Sequence, residues 1–429
     1  MAATGDRQVD DPAGGRAGAP MAAPGAAATP LVYPFGTGPA PGAAHELAPG
    51  VRWIRLPLLG ELQHINVWAI ADGGGWAIVD CGLFTAEVVA VWETLLETGL
   101  EGRPVTRIVV THQHPDHVGM AGWLARRFGC ALWMTPPEYA ACADTQRGER
   151  FDAGVAFYRA AGWPRDALER YRTQANDLQR YVDVLPPDFT ALHDGDRLTL
   201  GGRLWEIVTG SGHSPEHACL WCAELGLFIS GDQVLPTISS NVSVTPASPR
   251  ADPLGRWLAS LDKLARRIPD HALVLPAHGL PFRGLHQRLA QLAAGHAGGL
   301  QRLRDALSRP ARVVDLHGAL FRRVPGGSPF HLRLASGECV AHLNRLIAQG
   351  EVEVSRDADG VDWYRLVRAG AAHDDGLFRL VRGGARRTRR RTGKHTSTLA
   401  KATRAAHKNK RRRADGLRRP AGMLESTRR

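Results

Sequence analysis

The sequence contains no apolar run long enough to cross a membrane. A spanning helix needs about 18 or more consecutive apolar residues, and runs such as residues 272–277 end after a handful. The N-terminal residues also lack a basic stretch followed by an apolar core, which argues against a secretory signal. We therefore expect a cytoplasmic protein with no membrane partner.

Cysteine is scarce, with six residues scattered over a chain of 429. This number does not form the disulfide framework of a small secreted protein, so reduced thiols are expected. Cys219 and Cys222 have the spacing of half a zinc knuckle, but no second pair follows. Positions three apart in a strand face opposite sides, and we therefore interpret both as buried thiols.

The positive charge is concentrated at the C-terminal end. The formal net charge is +12, yet residues 379–429 alone contribute +17 and residues 1–378 have a net charge of −5. We expect residues 383–429 to form a disordered basic tail. Such a tail either contacts nucleic acid non-specifically, through salt-sensitive contacts, or is a solvated extension without a dedicated partner. The acidic remainder gives little support for an RNA-binding channel.

The pattern along the chain predicts an α/β protein with additions at both ends. Residues 1–45 are dominated by Ala, Gly and Pro, with 28 of them, and are expected to be a disordered leader. Short apolar strands and amphipathic helices alternate over residues 50–283, interrupted at about 137–187 by an insert that we interpret as a helical hairpin. Residues 284–367 show helices followed by a two-stranded ribbon, the outline of a winged helix.

The residues that indicate chemistry follow an apolar strand ending near Val110. His112 and His114 are two positions apart, so their side chains project to the same side. Asp116 and His117 come directly after Pro115, a residue favoured at the first position of a helix, and can turn back toward the same point. Four potential metal ligands therefore converge within six residues.

Three later segments each place one more potential metal ligand just beyond a predicted strand. These residues are His213, Asp232 and His278, and each lies beside a glycine or another small residue. Small residues allow the backbone to turn tightly at a strand end.

Together these seven residues resemble the pattern of the metallo-β-lactamase superfamily, which is His-x-His-x-Asp-His, then a lone His, an Asp and a final His. The resemblance covers about residues 50–285 and implies a four-layer αββα sandwich. It implies that His112, His114 and His213 bind one metal ion, that Asp116, His117 and His278 bind a second, and that Asp232 bridges them. Imidazole and carboxylate donors suit two zinc ions, and Fe or Mn suits the same second site.

The resemblance also implies roles in catalysis. Two metal ions lower the pKa of bound water from 15.7 to about 7, so that a metal-bound hydroxide exists at neutral pH. Asp116 would orient this nucleophile and return a proton to the leaving group. Asp80 matches the supporting aspartate that orients a ligand imidazole, although an Asp at a strand end also caps turns. For His217 we favour a structural role over substrate contact.

The substrate class is narrowed by the local sequence. Residues 212–217, Gly-His-Ser-Pro-Glu-His, are similar to the Gly-His-Thr-x-Gly-His segment of glyoxalase II-like thioesterases. The C-terminal unit instead resembles that of the β-lactamase-like protein 2 group, which includes an endoribonuclease acting on single-stranded RNA. We expect a hydrolase of a small ester or thioester; the alternatives are a phosphodiesterase or ribonuclease, a mononuclear iron sulfur oxygenase, and a binding module without catalysis. The sequence does not indicate an oligomeric state.

Overall fold

A computed structural model describes residues 30–60, 62–146, 151–173, 180–322 and 329–367. The predicted basic tail and the first 29 residues of the predicted leader lie outside these ranges. The described part of the leader is ordered in part. Val32 forms an isolated bridge with Arg283, and a strand begins at Ala44, so the ordered chain begins earlier than residue 50. Its Ala-, Gly- and Pro-rich composition conceals this, because the pairing partners are distant in sequence.

The first sheet contains seven strands in chain order. They are β1 (Ala44–Ala48), β2 (Val51–Pro57), β3 (His64–Asp72), β4 (Gly75–Val79), β5 (Val105–Val109), β6 (Ala131–Met134) and β7 (Thr190–Ala191). Pairing is antiparallel from β1 to β4 and parallel from β4 to β7. Its helices are α1 (Ala86–Thr94), which continues into a π-helical turn at Leu95–Gly99, α2 (Pro115–Val118) and α3 (Ala121–Phe128).

The second sheet contains five strands in the order β12-β11-β10-β9-β8. They are β8 (Arg197–Leu200), β9 (Arg203–Gly210), β10 (His217–Cys222), β11 (Leu227–Gly231) and β12 (Leu273–Pro276). Among the described strands of this sheet, β11 and β12 alone pair in parallel, and α7 (Pro253–Arg267) connects them.

Alternating strand residues divide the core into layers. In β2 and β3, Trp53 and Trp68 stack with ring centroids 6.1 Å apart and pack with Trp205 of the second sheet between the two sheets. Ile54 and Val67, which are adjacent in sequence to Trp53 and Trp68, pack against α1 and α3 on the other face. Because side chains of a strand alternate in direction, each sheet buries both faces. The result is the αββα sandwich that the resemblance implies.

The insert contains more helices than predicted. In place of a hairpin, the described residues form α4 (Pro136–Gln146), α5 (Phe151–Ala160) and α6 (Arg165–Thr173). Helix α4 directly follows β6, and its buried Glu138 contacts the loop that follows β5. The pattern of aromatic and charged residues in the sequence did not distinguish α4 as a separate helix.

The C-terminal helices and ribbon have the predicted order. They are α8 (Leu285–Ala306), α9 (Val313–Leu320), α10 (Pro329–Ala348), β13 (Val352–Arg356) and β14 (Asp362–Leu366). Helices α8 and α10 share one core with α7 and the insert, so this part packs directly on the sandwich. None of the six cysteines forms a disulfide, and Cys219 and Cys222 are buried. No helix of the described residues has the length and apolarity needed to cross a membrane.

Candidate metal centre

The seven residues of the predicted pattern lie at one edge of the sandwich. Strand β5 runs parallel to β4, and β12 runs parallel to β11, so the loops that follow these strands meet at the same edge. Strand β9 is antiparallel to β10, which is antiparallel to β11, and its end lies there too. We refer to the seven residues as the strand-end cluster: His112, His114, Asp116, His117, His213, Asp232 and His278.

Three imidazoles form the first half of the strand-end cluster. His112 Nε2 lies 2.8 Å from His114 Nδ1 and 3.2 Å from His213 Nε2. His213 Nδ1 lies 2.8 Å from the carbonyl oxygen of Asn241. Because a carbonyl oxygen only accepts hydrogen bonds, Nδ1 bears the proton and the lone pair of Nε2 points toward the other two rings. This arrangement fits a cation bound by three nitrogen atoms.

Asp116, His117 and His278 form the second half. The Oδ2 atom of Asp116 lies 3.4 Å from His278 Nε2 and 3.7 Å from His117 Nε2. His278 Nδ1 donates to the carbonyl oxygen of His64 over 3.0 Å, which leaves its Nε2 lone pair for the cluster. This half provides one oxygen and two nitrogen donors.

Asp232 faces both halves of the cluster. Its Oδ2 lies 3.4 Å from His213 Nε2, and its Oδ1 lies 3.4 Å from His278 Nε2 and 3.5 Å from His117 Nε2. One carboxylate oxygen is thus directed at each half. This is the placement expected of a carboxylate that bridges two cations.

Two buried atoms of the cluster indicate a missing charged partner. His117 Nε2 and Asp232 Oδ1 are both buried and have no hydrogen-bond partner among the described residues. Buried polar atoms are normally paired in folded proteins. A cation within reach of both atoms would satisfy them, so the donor set fits metal ions.

The charges of the cluster support the same conclusion. Burial and neighbouring imidazoles lower the pKa of His112, and burial with the nearby His213 lowers the pKa of His114 to about 3. These rings are neutral at pH 7, the form that binds a metal. Burial would also lower the pKa of His117, but the carboxylates of Asp80, Asp116 and Asp232 raise it well above its ordinary value. This excess of negative charge is what divalent cations would balance.

Asp80 connects the end of β4 to the segment that follows β5. Its Oδ1 accepts from the Thr111 backbone N–H over 2.8 Å, and its Oδ2 accepts from Thr111 Oγ1 over 2.9 Å. The same Oδ2 lies 2.8 Å from His117 Nδ1. Asp80 has a φ of 60°, a left-handed conformation that is strained for residues other than glycine. The strain and the contact with His117 are the features expected of the positioning role implied for Asp80.

His217 is placed as a structural residue. It is fully buried, its Nε2 accepts from the Asp232 backbone N–H over 3.1 Å, and its ring stacks on His112 with centroids 4.9 Å apart. These contacts keep the ring away from solvent and fix the loop of Asp232. The role favoured from the sequence agrees with this position.

Glu138 was not found by sequence analysis, although it connects two ligand loops. Its Oε1 accepts from Ser214 Oγ over 2.5 Å and from the Glu216 backbone N–H over 2.7 Å. Its Oε2 accepts from the Gln113 backbone N–H over 3.1 Å. Glu138 therefore joins the loop of His112 and His114 to the loop of His213. A lone glutamate early in a helix gives no signal for this in the sequence.

Replacing Glu138 with glutamine is expected to destabilise the fold and loosen the metal site. The amide would direct an N–H group at one of the three donors that now face a carboxylate oxygen, and a buried group left unsatisfied costs about 1–3 kcal/mol. Thermal unfolding and metal analysis of the full-length chain measure both effects. Glu97→Gln, at an exposed position, is the control. Unchanged stability and metal content in Glu138→Gln would contradict the role assigned to this carboxylate.

Gly212 allows the loop of His213 to approach α7. Its φ is +114°, and an added Cβ would lie 2.6 Å from the carbonyl oxygen of Pro253 and 2.6 Å from Trp257 Cβ. Helix backbone does not yield as a flexible side chain does, so only glycine fits here.

Alanine at position 212 is therefore expected to destabilise the chain and lower its metal content together. Gly226→Ala is a matched control, because Gly226 also has a positive φ of +63° but has open space around its Cβ position. The control should lose about 1–2 kcal/mol from backbone strain alone, and Gly212→Ala should lose more. Chemical unfolding measures the difference, and equal losses would show that the contact with α7 is unimportant.

Comparison with known proteins follows the same division of the chain. Residues 60–278 match the model of the metallo-beta-lactamase superfamily, and residues 300–367 match the model of a metallo-beta-lactamase-like C-terminal domain. The chain is 40% identical to a beta-lactamase domain protein from Burkholderia ambifaria, whose crystal structure gives a TM-score of 0.74, with 79% of this chain and 98% of that one covered.

Some relatives have names that state an activity. The acyl-coenzyme A thioesterase MBLAC2 of Homo sapiens is 26% identical over 270 residues, which cover 59% of this chain and 86% of that protein. A hydroxyacylglutathione hydrolase from Acidiphilium cryptum is 29% identical over 161 residues, which cover 37% of this chain and 59% of that protein.

Proposed function

Because the chain belongs to the metallo-β-lactamase superfamily, we propose that it is a binuclear zinc hydrolase that cleaves thioesters of the acyl-coenzyme A class. The single observation on which the proposal depends is the placement of Asp232, with one carboxylate oxygen toward each half of the strand-end cluster. In the proposal, His112, His114 and His213 would hold one ion, Asp116, His117 and His278 would hold the other, and Asp232 would serve both. Catalysis is assigned to residues 50–283, and residues 284–367 are a winged-helix-like domain.

Two bound dications would activate a water molecule and polarise the attacked carbonyl oxygen. The chain's own residues provide the proton transfer. Asp116 has the more exposed of the two cluster carboxylates, at 18% against 10% for Asp232, so it can face both substrate and solvent. Burial raises the pKa of Asp116, but His117 and His278 outweigh this and lower it to about 2. Asp116 is therefore ionised at pH 7. In the proposal its carboxylate orients the water molecule and relays a proton from it to the departing thiolate.

Residues around the strand-end cluster keep this geometry. Asp80 orients His117, the carbonyl oxygen of Asn241 orients His213, and the carbonyl oxygen of His64 orients His278. Asn66 supports the last of these loops, because its amide donates to the carbonyl oxygens of Pro276 and Gly279 over 2.9 and 2.8 Å. His117, His213 and His278 are thus each held by a second group that fixes the ring.

MBLAC2 supports the proposed substrate class better than the hydroxyacylglutathione hydrolase does, because its match covers more of the relative's length. The match to MBLAC2 covers 86% of that protein, against 59% of the hydroxyacylglutathione hydrolase. The C-terminal match, at residues 300–367, is to a metallo-beta-lactamase-like C-terminal domain. These observations favour coenzyme A over glutathione as the thiol part of the substrate.

A side-by-side assay tests the substrate class. The zinc-loaded full-length chain is given an acyl-coenzyme A, S-lactoylglutathione and labelled single-stranded RNA, with His114→Ala as the inactive control. We expect acyl-coenzyme A to be hydrolysed fastest and RNA to remain intact. Cleavage of RNA that disappears in His114→Ala, without thioester hydrolysis, would instead identify a ribonuclease.

A further inference from the structure

A second group of ligand-type residues lies among the C-terminal helices, outside the strand-end cluster. It consists of His296 on α8 and of Glu338 and His342 on α10. Their ligand atoms all lie within 4.8 Å of one another, and all three residues are buried. Glu338 and His342 are four positions apart and therefore share one face of α10. We refer to these three residues as the helix cluster.

The two imidazoles of the helix cluster meet through their ring nitrogens. His342 Nδ1 donates to the Glu338 carbonyl oxygen over 2.9 Å, so the lone pair of His342 Nε2 points away from its own helix. That Nε2 lies 3.2 Å from His296 Nδ1. The other nitrogen of His296, Nε2, lies 3.4 Å from Ser239 Oγ. The 3.2 Å between His342 Nε2 and His296 Nδ1 equals the distance between His112 Nε2 and His213 Nε2 in the strand-end cluster.

Glu338 adds a buried carboxylate that has no cationic side chain beside it. Only 8% of the residue is exposed, and its Oε2 accepts from Asn241 Nδ2 over 2.8 Å. Within the part of the chain that the structure describes, no Lys or Arg is among the groups that shift its pKa. Burial raises the pKa of Glu338 to about 7 against the effect of the Asn241 hydrogen bond. Buried carboxylates are normally paired with a cation or coordinate a metal, because isolated burial of the charge is costly.

We propose that His296, Glu338 and His342 bind a further divalent metal ion of the zinc class. Two imidazole nitrogens and one carboxylate oxygen form a donor set that zinc accepts, with a water molecule as the fourth ligand. His342 already has the outer hydrogen bond to a backbone carbonyl that metal-binding histidines typically make. The ion joins α8 to α10 and neutralises the Glu338 carboxylate.

The position of this ion connects the C-terminal helices to the strand-end cluster. Asn241 donates to Glu338 through its side chain, and its backbone carbonyl accepts from His213 Nδ1. An ion that fixes the Glu338 carboxylate therefore fixes the loop that orients His213. The helix cluster is a structural site, and its ion should raise the melting temperature of the whole chain.

Metal stoichiometry of the full-length chain tests the proposal. Each protein is stripped with a chelator, reloaded with zinc alone, desalted and analysed for zinc. The double variant His296→Asn/His342→Gln should bind one zinc ion fewer per chain than the unmodified protein and should melt at a lower temperature. His317→Gln, at another buried histidine of the C-terminal helices, is the control and should keep the full zinc content. Equal zinc content in a folded double variant would overturn the proposal.

A second variant answers the question if the double variant does not fold. The triple variant His114→Ala/Asp232→Asn/His278→Ala removes ligands from both halves of the strand-end cluster and leaves the helix cluster intact. It should retain one zinc ion per chain after reloading, and retention of none would overturn the proposal. Neither comparison requires enzymatic activity, so a failure of the proposed thioester hydrolysis would leave this result interpretable.

Discussion

The Asp232→Asn variant is expected to lose zinc from the strand-end cluster and to lower kcat/KM for an acyl-coenzyme A by about three orders of magnitude. Metal ions contribute several kcal/mol of transition-state stabilisation, and each 1.36 kcal/mol corresponds to a factor of about ten in rate. Asparagine keeps the size of the side chain but provides one neutral oxygen, so it cannot face both halves of the cluster with carboxylate oxygens. His117 and His278 would also lose a negative partner 3.5 and 3.4 Å away.

The measurement for Asp232→Asn combines zinc analysis with steady-state kinetics on the same sample. Asp252→Asn is a suitable control, because Asp252 caps the N-terminus of α7 and pairs with Arg345 over 3.1 Å, so its loss affects stability rather than the cluster. The control should keep its zinc and most of its activity. If Asp232→Asn retained the full zinc content and activity, the bridging role would be refuted.

The second large effect is expected at Asp80. In Asp80→Asn, one of the buried donors Thr111 N–H, Thr111 Oγ1–H and His117 Nδ1–H would face an N–H group in place of an oxygen. Loss of such an orienting partner typically lowers metal affinity about 10- to 100-fold. We therefore expect zinc to dissociate from Asp80→Asn at chelator concentrations that leave the unmodified chain loaded. The activity should recover at high zinc concentration.

Asp72 provides a matched control for this variant. It belongs to the same sheet, where its Oδ2 accepts from Thr106 Oγ1 over 2.7 Å and from Arg107 Nε over 2.9 Å. Asp72 pairs with Gly75 at the start of β4, and Asp80 follows the end of β4, so the two residues lie at opposite ends of this strand. Asp72→Asn should change stability without changing zinc affinity. A similar shift in zinc affinity in both variants would indicate a general effect on the sheet.

The residues that the sequence identified share a local signal. His112, His114, Asp116 and His117 occur together in a short segment, and His213 follows a strand with clear apolar patterning. The carboxyl ends of neighbouring parallel strands lie at the same edge of a sheet, so the polar residues that follow these strands already approximate the site. A short local motif and polar residues after strands are therefore enough to predict the cluster from the sequence.

The residues that the sequence missed act through tertiary contacts. Glu138 joins two loops that are about a hundred residues apart along the chain, and Asn66 supports a loop more than 200 positions away. Asn241 links His213 to Glu338 of α10. Each of these is an ordinary polar residue in its local sequence, and only the packed fold brings it to its partners. Strand β1 was missed for a related reason, because its pairing with β2 outweighs an unfavourable composition.

The central claim is tested most directly by the zinc dependence of acyl-coenzyme A hydrolysis. The full-length chain is assayed as a zinc-loaded protein, after removal of zinc by a chelator, and after zinc is added back. The account predicts that kcat/KM falls by at least about 10³-fold on zinc removal and returns when zinc is restored, with neither change in His114→Ala. Hydrolysis that is equally fast without zinc, or that His114→Ala retains in full, would contradict the account.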